Sequence, residues 1–240
     1  MTDPLAPLLD LPGVAEAVEA ARDAVAEVHR HPANRRGWPT TAAEASVRAA
    51  RASAVLDGGA AEIPSSGSVT DPVLAGSLRV AEAIGPLLGT WQKAPLQALA
   101  RLHVLAAADL VGADDLGRPT SGGGRLDLLA SLVAGGTKVP GPVLVAIVHG
   151  ELLSLAPFGA VSGVIARAAA RLTMIGTGLD TKGLAVPEVA YLRRATEYRA
   201  ALDGFAAGTP DGVGGWLLFS CSALEAGARE AASIADSVGQ

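Results

Sequence analysis

The stretch from Val139 to Val164 is the longest apolar run in this chain of 240 residues, and it limits the folds that the chain can adopt. Prolines, His149 and Glu151 interrupt the run, so it does not match a membrane span, which needs about 20 consecutive, predominantly apolar residues. A helix that is apolar on all sides is instead typical of the centre of a large core. Residues 142–155 therefore predict a buried central helix.

The rest of the chain also favours helices. Half of the residues are hydrophobic but only 3% are aromatic, so Ala, Leu and Val must fill most of the core. Such small side chains suit closely packed helices. No segment shows strict alternation over five or more residues, and no repeat period stands out. We predict an all-α bundle with helices at residues 14–29, 41–57, 72–88, 95–110, 126–133, 142–155, 163–174, 187–206 and 214–237.

The length is that of one sizeable domain. Residues 1–40 are expected to form an N-terminal helix and a connector, residues 41–228 the main helical domain, and residues 229–240 the end of the last helix. Residues 112–124 are rich in glycine, which predicts a flexible connection or flap. The one strand structure that the sequence leaves open is a short β-hairpin in this flap, and a well-formed strand is not expected there.

The charge distribution argues against several classes of function. The net charge is −5 and the 19 basic residues are scattered, which argues against a nucleic-acid surface and against a membrane surface. The N-terminus lacks a basic segment followed by an apolar one, so we expect a cytoplasmic protein. The only cysteine, Cys221, is expected to be a buried apolar residue, and His29 and His31 to be solvated loop residues.

Two fragments imitate catalytic motifs without completing them. His149-Gly150-Glu151 matches the H-x-E of zinc deaminases, but one cysteine cannot supply the C-x-x-C that must follow. Ser162 does not lie in a G-x-S-x-G turn, because Gly159 is one position too far upstream. No metal site is therefore expected.

A resemblance to a known family rests on the residues that follow the central helix. Pro157, Phe158, Gly163 and Arg167 have the order and spacing of the pattern H-P-F-x-(D/E)-G-N-G-R-x-x-R. That pattern belongs to the active loop of the Fic (Fido) family, at the end of its central helix. His149, seven residues before the first position of the pattern, also resembles a common residue of the family.

A second part of the resemblance lies upstream. Ser53, Asp57 and Gly58 resemble the inhibitory-helix pattern of the family, (S/T)-x-x-x-E-(G/N), with Asp in place of Glu. We expect the Asp57 carboxylate to form an ion pair with Arg167.

The third part lies downstream, where residues 191–202 and 215–219 resemble the end of the family's core, a helix with paired tyrosines followed by a Trp-x-x-Phe helix. The resemblance covers roughly residues 41–228 and implies a Fic-like helical bundle around the central helix.

Members of the Fic family usually transfer an AMP group from ATP to a hydroxyl of a target protein. In the family a His deprotonates the hydroxyl, an acidic residue holds Mg²⁺, Asn and glycine amides bind the anion, and two Arg contact phosphate oxygens. Five of these positions carry other residues here: Ala156 for the His, Ala160 for the acid, Val161 for the first glycine, Ser162 for the Asn and Val164 for the first Arg.

These replacements predict a catalytically inactive Fic-like protein that acts through contacts with an unknown protein partner, with a homodimer as a further expectation. We expect the apolar replacements to form a dry, packed loop. No cofactor is expected. Binding of ATP and Mg²⁺ is expected only if the protein is instead a nucleotide sensor or a divergent transferase, which are the alternative functions. In these alternatives the candidate residues are His149, Glu151, Ser162, Gly163 and Arg167.

Overall fold

The computed structural model describes residues 3–238. Within this range it contains eleven α-helices and no β-strand, so the all-α prediction is confirmed. The helices are α1 (Val14–Arg30), α2 (Pro32–Arg36), α3 (Trp38–Leu56), α4 (Pro72–Lys93), α5 (Pro95–Ala107), α6 (Gly123–Ser131), α7 (Gly141–Leu155), α8 (Ser162–Gly176), α9 (Pro187–Arg193), α10 (Ala195–Ala206) and α11 (Pro210–Val238).

The central helix is where the apolar run predicts it. Val143, Ala146, Val148 and Leu152 of α7 are fully buried. This helix packs against α8 on one side and against α10 and α11 on others, while α3 and α4 cover α8 from outside. The loop between α7 and α8, which carries the degenerate motif, is therefore held between two core helices.

Residues 187–206, predicted as one helix, form two. The break lies at Arg194, which has φ −116° and ψ 38°. Its guanidinium donates to Ser222 Oγ at 3.0 Å and to Glu197 Oε2 at 2.6 Å, and it lies 4.7 Å from the centre of the Phe219 ring. These tertiary contacts compensate for the interrupted helix, and helical periodicity carries no sign of them.

The glycine-rich segment before α6 contains turns and bends but no β-hairpin among the described residues. It is attached to the loop after α7 instead. The Thr120 N–H donates to the Pro157 carbonyl at 2.8 Å, and the Ser121 hydroxyl donates to the Leu155 carbonyl at 2.9 Å. The segment thus satisfies carbonyl groups at and just beyond the C-terminal end of α7.

The structure also tests the predictions for Cys221, for the two histidines near the end of α1 and for a membrane span. Cys221 is buried, as predicted. His29 lies within α1 and is therefore not a loop residue, and its Nε2 is 2.8 Å from Asp180. His31 lies in the bend between α1 and α2, as predicted, and forms an exposed contact, with its Nε2 3.1 Å from Asp236. Among residues 3–238, no helix is both long and apolar enough to cross a bilayer. Residues 1–2 and 239–240, which belong to the predicted terminal segments 1–40 and 229–240, lie outside the described range.

Candidate functional site

The loop between α7 and α8 reverses the chain within a few residues. Helix α7 ends at Leu155, and Ala156 adopts a left-handed conformation with φ 43° and ψ 49°. The Ser162 hydroxyl accepts a hydrogen bond from the Phe158 N–H at 2.9 Å, which closes the loop onto the start of α8. The Phe158 ring packs against His103 of α5, with 4.8 Å between the ring centres.

The apolar replacements in this loop are only partly packed. Val161 and Val164 are buried, as predicted. Ala156 and Ala160, at the positions of the family's base and acid, are exposed, so the prediction of a wholly dry loop is wrong there. Both methyl groups lie on the outer side of the loop, where exposing so small an apolar surface costs little.

The conformation of Ala156 leads to a stability prediction. An L-residue pays a steric cost in the left-handed region that glycine avoids. We therefore expect Ala156→Gly to stabilise the protein by up to about 1 kcal/mol, measured by urea unfolding. Ala160→Gly, in the following 3₁₀ turn where no positive φ is required, should lower stability. A destabilising Ala156→Gly would contradict this account.

The ion pair predicted between Asp57 and Arg167 is present, with 2.9 Å between Asp57 Oδ1 and Arg167 Nη2. Arg167 is only 3% exposed. Its Nε donates to the Ser53 hydroxyl at 2.8 Å and its Nη2 donates to the Ser53 carbonyl at 3.0 Å. The guanidinium thus holds the last turn of α3 against α8. Burial lowers the pKa of Arg167, but Tyr198 and Asp57 outweigh it and raise the pKa above its ordinary value.

Asp57 also occupies the N-terminus of α8. Its Oδ2 accepts a hydrogen bond from the Val164 N–H at 2.8 Å. A side chain at Gly163 would overlap the Asp57 carboxylate, so the approach depends on glycine at this position. Unpaired N–H groups and the helix dipole make such an N-terminus favourable for an anion. Here the protein's own carboxylate is that anion.

Behind Arg167 lies a buried histidine, His149 of α7. Its Nε2 is 2.7 Å from the Tyr198 hydroxyl. Burial, followed by the charge of Arg167, holds the pKa of His149 well below its usual value, and burial raises the pKa of Tyr198 to about 12. Either group can donate in this contact, and the other ring nitrogen of His149, Nδ1, has no protein partner. His149 is therefore a neutral core residue.

The candidates of the transferase alternative do not meet at one point. Glu151 lies elsewhere on α7, where both of its oxygens accept from Arg125, at 2.8 and 3.1 Å. Ser162 is buried and its oxygen faces the Phe158 N–H. His149 and Arg167 approach each other through the Tyr198 side chain. Within residues 3–238, no three His, Cys, Asp or Glu side chains are grouped to hold a metal ion.

Two contributing residues were not identified from the sequence. The role of Tyr198 beside Arg167 and His149 could have been inferred from its place in the paired-tyrosine helix. His103 accepts a hydrogen bond from the Gly117 N–H at 3.1 Å and packs on Phe158, so it connects the glycine-rich segment to the loop. A single histidine in an apolar helix gives no such signal.

No family model and no curated protein matches the chain. Among solved structures, the chain is similar to a Fic family protein from Desulfovibrio desulfuricans G20, with a TM-score of 0.65 and 22% identity. The similarity covers 92% of this chain and 74% of that protein. At this identity the likeness extends to the fold alone. The chain therefore has the fold of the Fic family.

Proposed function

We propose that this protein uses the Fic fold without nucleotide transfer and acts through contacts with another protein. The observation that carries the proposal is the position of Asp57. Its carboxylate binds the Val164 N–H and the Arg167 guanidinium, which are the groups that a phosphate would contact at the start of α8. The anion position is thus filled from within the chain.

The side chains of the loop also support the proposal. Ala156 offers no proton acceptor, Ala160 no metal ligand and Val164 no second guanidinium. A positioned base typically contributes about 10²–10⁴ in rate, and charge stabilisation about 10³–10⁵ in related phosphoryl transfers. The rate contributions of residues that act as a unit are not additive. Even so, a protein that lacks the base, the acidic metal ligand and the first Arg has little basis for AMP transfer. On this proposal the protein needs neither ATP nor Mg²⁺.

A nucleotide or phosphometabolite sensor is the second candidate function. The Asp57 side chain is 14% exposed, so the filled anion position lies close to the surface. A phosphate that displaced Asp57 would gain the same N–H group and guanidinium. Binding of this kind requires no base and no metal, and it would change the contact between α3 and α8.

The decisive experiment compares the wild type with Asp57→Ala in the presence of inorganic phosphate or of ATP with Mg²⁺. Thermal stability and intact mass are recorded for the protein, and intact mass for lysate proteins. We expect no mass adduct in any sample. We expect phosphate to stabilise Asp57→Ala more than the wild type, because the variant leaves Arg167 and the Val164 N–H without a carboxylate.

Asp71→Ala is the matched control. Asp71 caps α4 by accepting from the Leu74 N–H at 2.7 Å. Its removal also leaves a helix N-terminus without its carboxylate. Equal stabilisation of both variants by phosphate would therefore show that phosphate has no preference for the position of Asp57. An adduct formed by the wild type would establish a transferase, and a thermal shift of the wild type without an adduct would favour the sensor. Affinity capture from a lysate then tests for the protein partner.

A further inference from the structure

A cavity of about 440 Å³ lies on a different face of α7 from the Asp57 site. Its floor is apolar and includes Leu8, Leu129, Ile147, Phe205 and Val213, which come from five separate parts of the chain. Pockets for small molecules commonly have volumes of about 300–1,000 Å³, apolar walls and a few polar groups at fixed positions. We propose that this cavity binds a small neutral amphiphile, an aliphatic chain or ring that ends in a hydroxyl or amide group.

Helix α6 forms one wall of the cavity, and this wall carries one prominently exposed leucine. Leu128 lines the cavity and is 60% exposed, the largest value for any big apolar side chain in the described part of the chain. A ligand in the cavity would cover part of this surface, which removes apolar area from water. The wall therefore presents an apolar surface that a ligand can bury.

Helix α6 is also placed so that it can adjust to a ligand. It follows Gly122, which has φ +100°, and it ends in the turn Leu132–Gly136, which contains Gly135 with φ +108°. Glycine reaches such angles without steric cost. Small rotations at both ends of α6 would change the width of the cavity.

The mouth of the cavity defines the chemical class of the ligand. Arg125 of α6 donates from Nε and Nη2 to the two oxygens of Glu151 on α7. The pair is neutral as a whole, so a charged head group would meet a like charge directly beside the opposite one. A neutral hydroxyl or amide can donate to Glu151 and accept from Arg125 while the pair stays intact.

The test titrates 1-octanol, octanoate and octylamine into protein with ¹³C-labelled methyl groups. We expect saturable methyl shifts of Leu128, Leu129, Ile147 and Val213 with 1-octanol, with a Kd on the order of 1 mM for so small a ligand. The two charged compounds should bind about ten-fold more weakly or not at all. Tighter binding of either charged compound, or no saturable shifts with 1-octanol, would overturn the proposal.

Leu128→Asn provides the test of the site, because it replaces an exposed leucine by a polar group of similar shape. It should weaken 1-octanol binding about ten-fold while the folded spectrum is retained. The matched control is Leu110→Asn, since Leu110 is 39% exposed and does not line this cavity. Equal weakening by both substitutions would mean that 1-octanol binds apolar surface without using the cavity. These measurements do not involve Asp57, so they are independent of the proposed function.

Discussion

Gly76→Ala is expected to destabilise the protein by about 3 kcal/mol, because it overfills the crossing of two core helices. A methyl group at Gly76 of α4 would overlap the Ala106 carbonyl of α5. Backbone cannot move aside as a side chain can, so α4 and α5 would have to separate. For a chain of this length the corresponding fall in Tm is about 10 °C, measurable by calorimetry.

Gly89→Ala is the matched control for this substitution. Gly89 lies in the same helix, is exposed, and has no atom within 4 Å of the position of an added methyl group. Alanine there should stabilise α4 by about 0.5–1 kcal/mol, since glycine is the weaker helix former. If both substitutions change Tm in the same direction, the close contact between α4 and α5 is not the cause.

Arg167→Ala is expected to cost about 3–5 kcal/mol, the range for breaking a buried charge pair by removal of one partner. The substitution leaves the Asp57 carboxylate without its cation and the Ser53 hydroxyl and carbonyl without their donor. Chemical denaturation should show a lower midpoint with a similar slope.

Arg193→Ala is the control for the loss of an arginine. Arg193 lies 3.2 Å from Glu230, but its side chain is 70% exposed, and exposed pairs contribute little to stability. Its replacement should leave the midpoint almost unchanged. A small effect of Arg167→Ala would mean that the contact between α3 and α8 is maintained by apolar packing alone.

The sequence predicts the helices well because each depends mainly on local periodicity. The central helix is the clearest case, since its apolar residues are buried where the pattern places them. The two-helix division at Arg194 is different. It depends on contacts with Ser222 and Phe219 of α11, which are distant in sequence.

The candidate site was predictable to a similar degree. The pairing of Asp57 with Arg167 follows from two motifs, and the structure contains it. The exposure of Ala156 and Ala160 could not be predicted, because small apolar side chains suit both a packed and an open loop. The hydrogen bond from Val164 to Asp57 was also missed, since it depends on where α3 ends relative to α8.

The location of Asp57 at the end of α3 has a consequence for folding. The C-terminal end of a helix carries a partial negative charge, which disfavours a carboxylate, whereas the N-terminal end of α8 favours one. In isolation the last turn of α3 should therefore fray at Asp57. In the folded protein α8 supplies the N–H group and the cation that α3 lacks. The Asp57 carboxylate at the C-terminal end of α3 is thus stabilised by the N-terminal end of α8. The end of α3 should become ordered only when α8 is in place, which makes these two distant segments one cooperative unit.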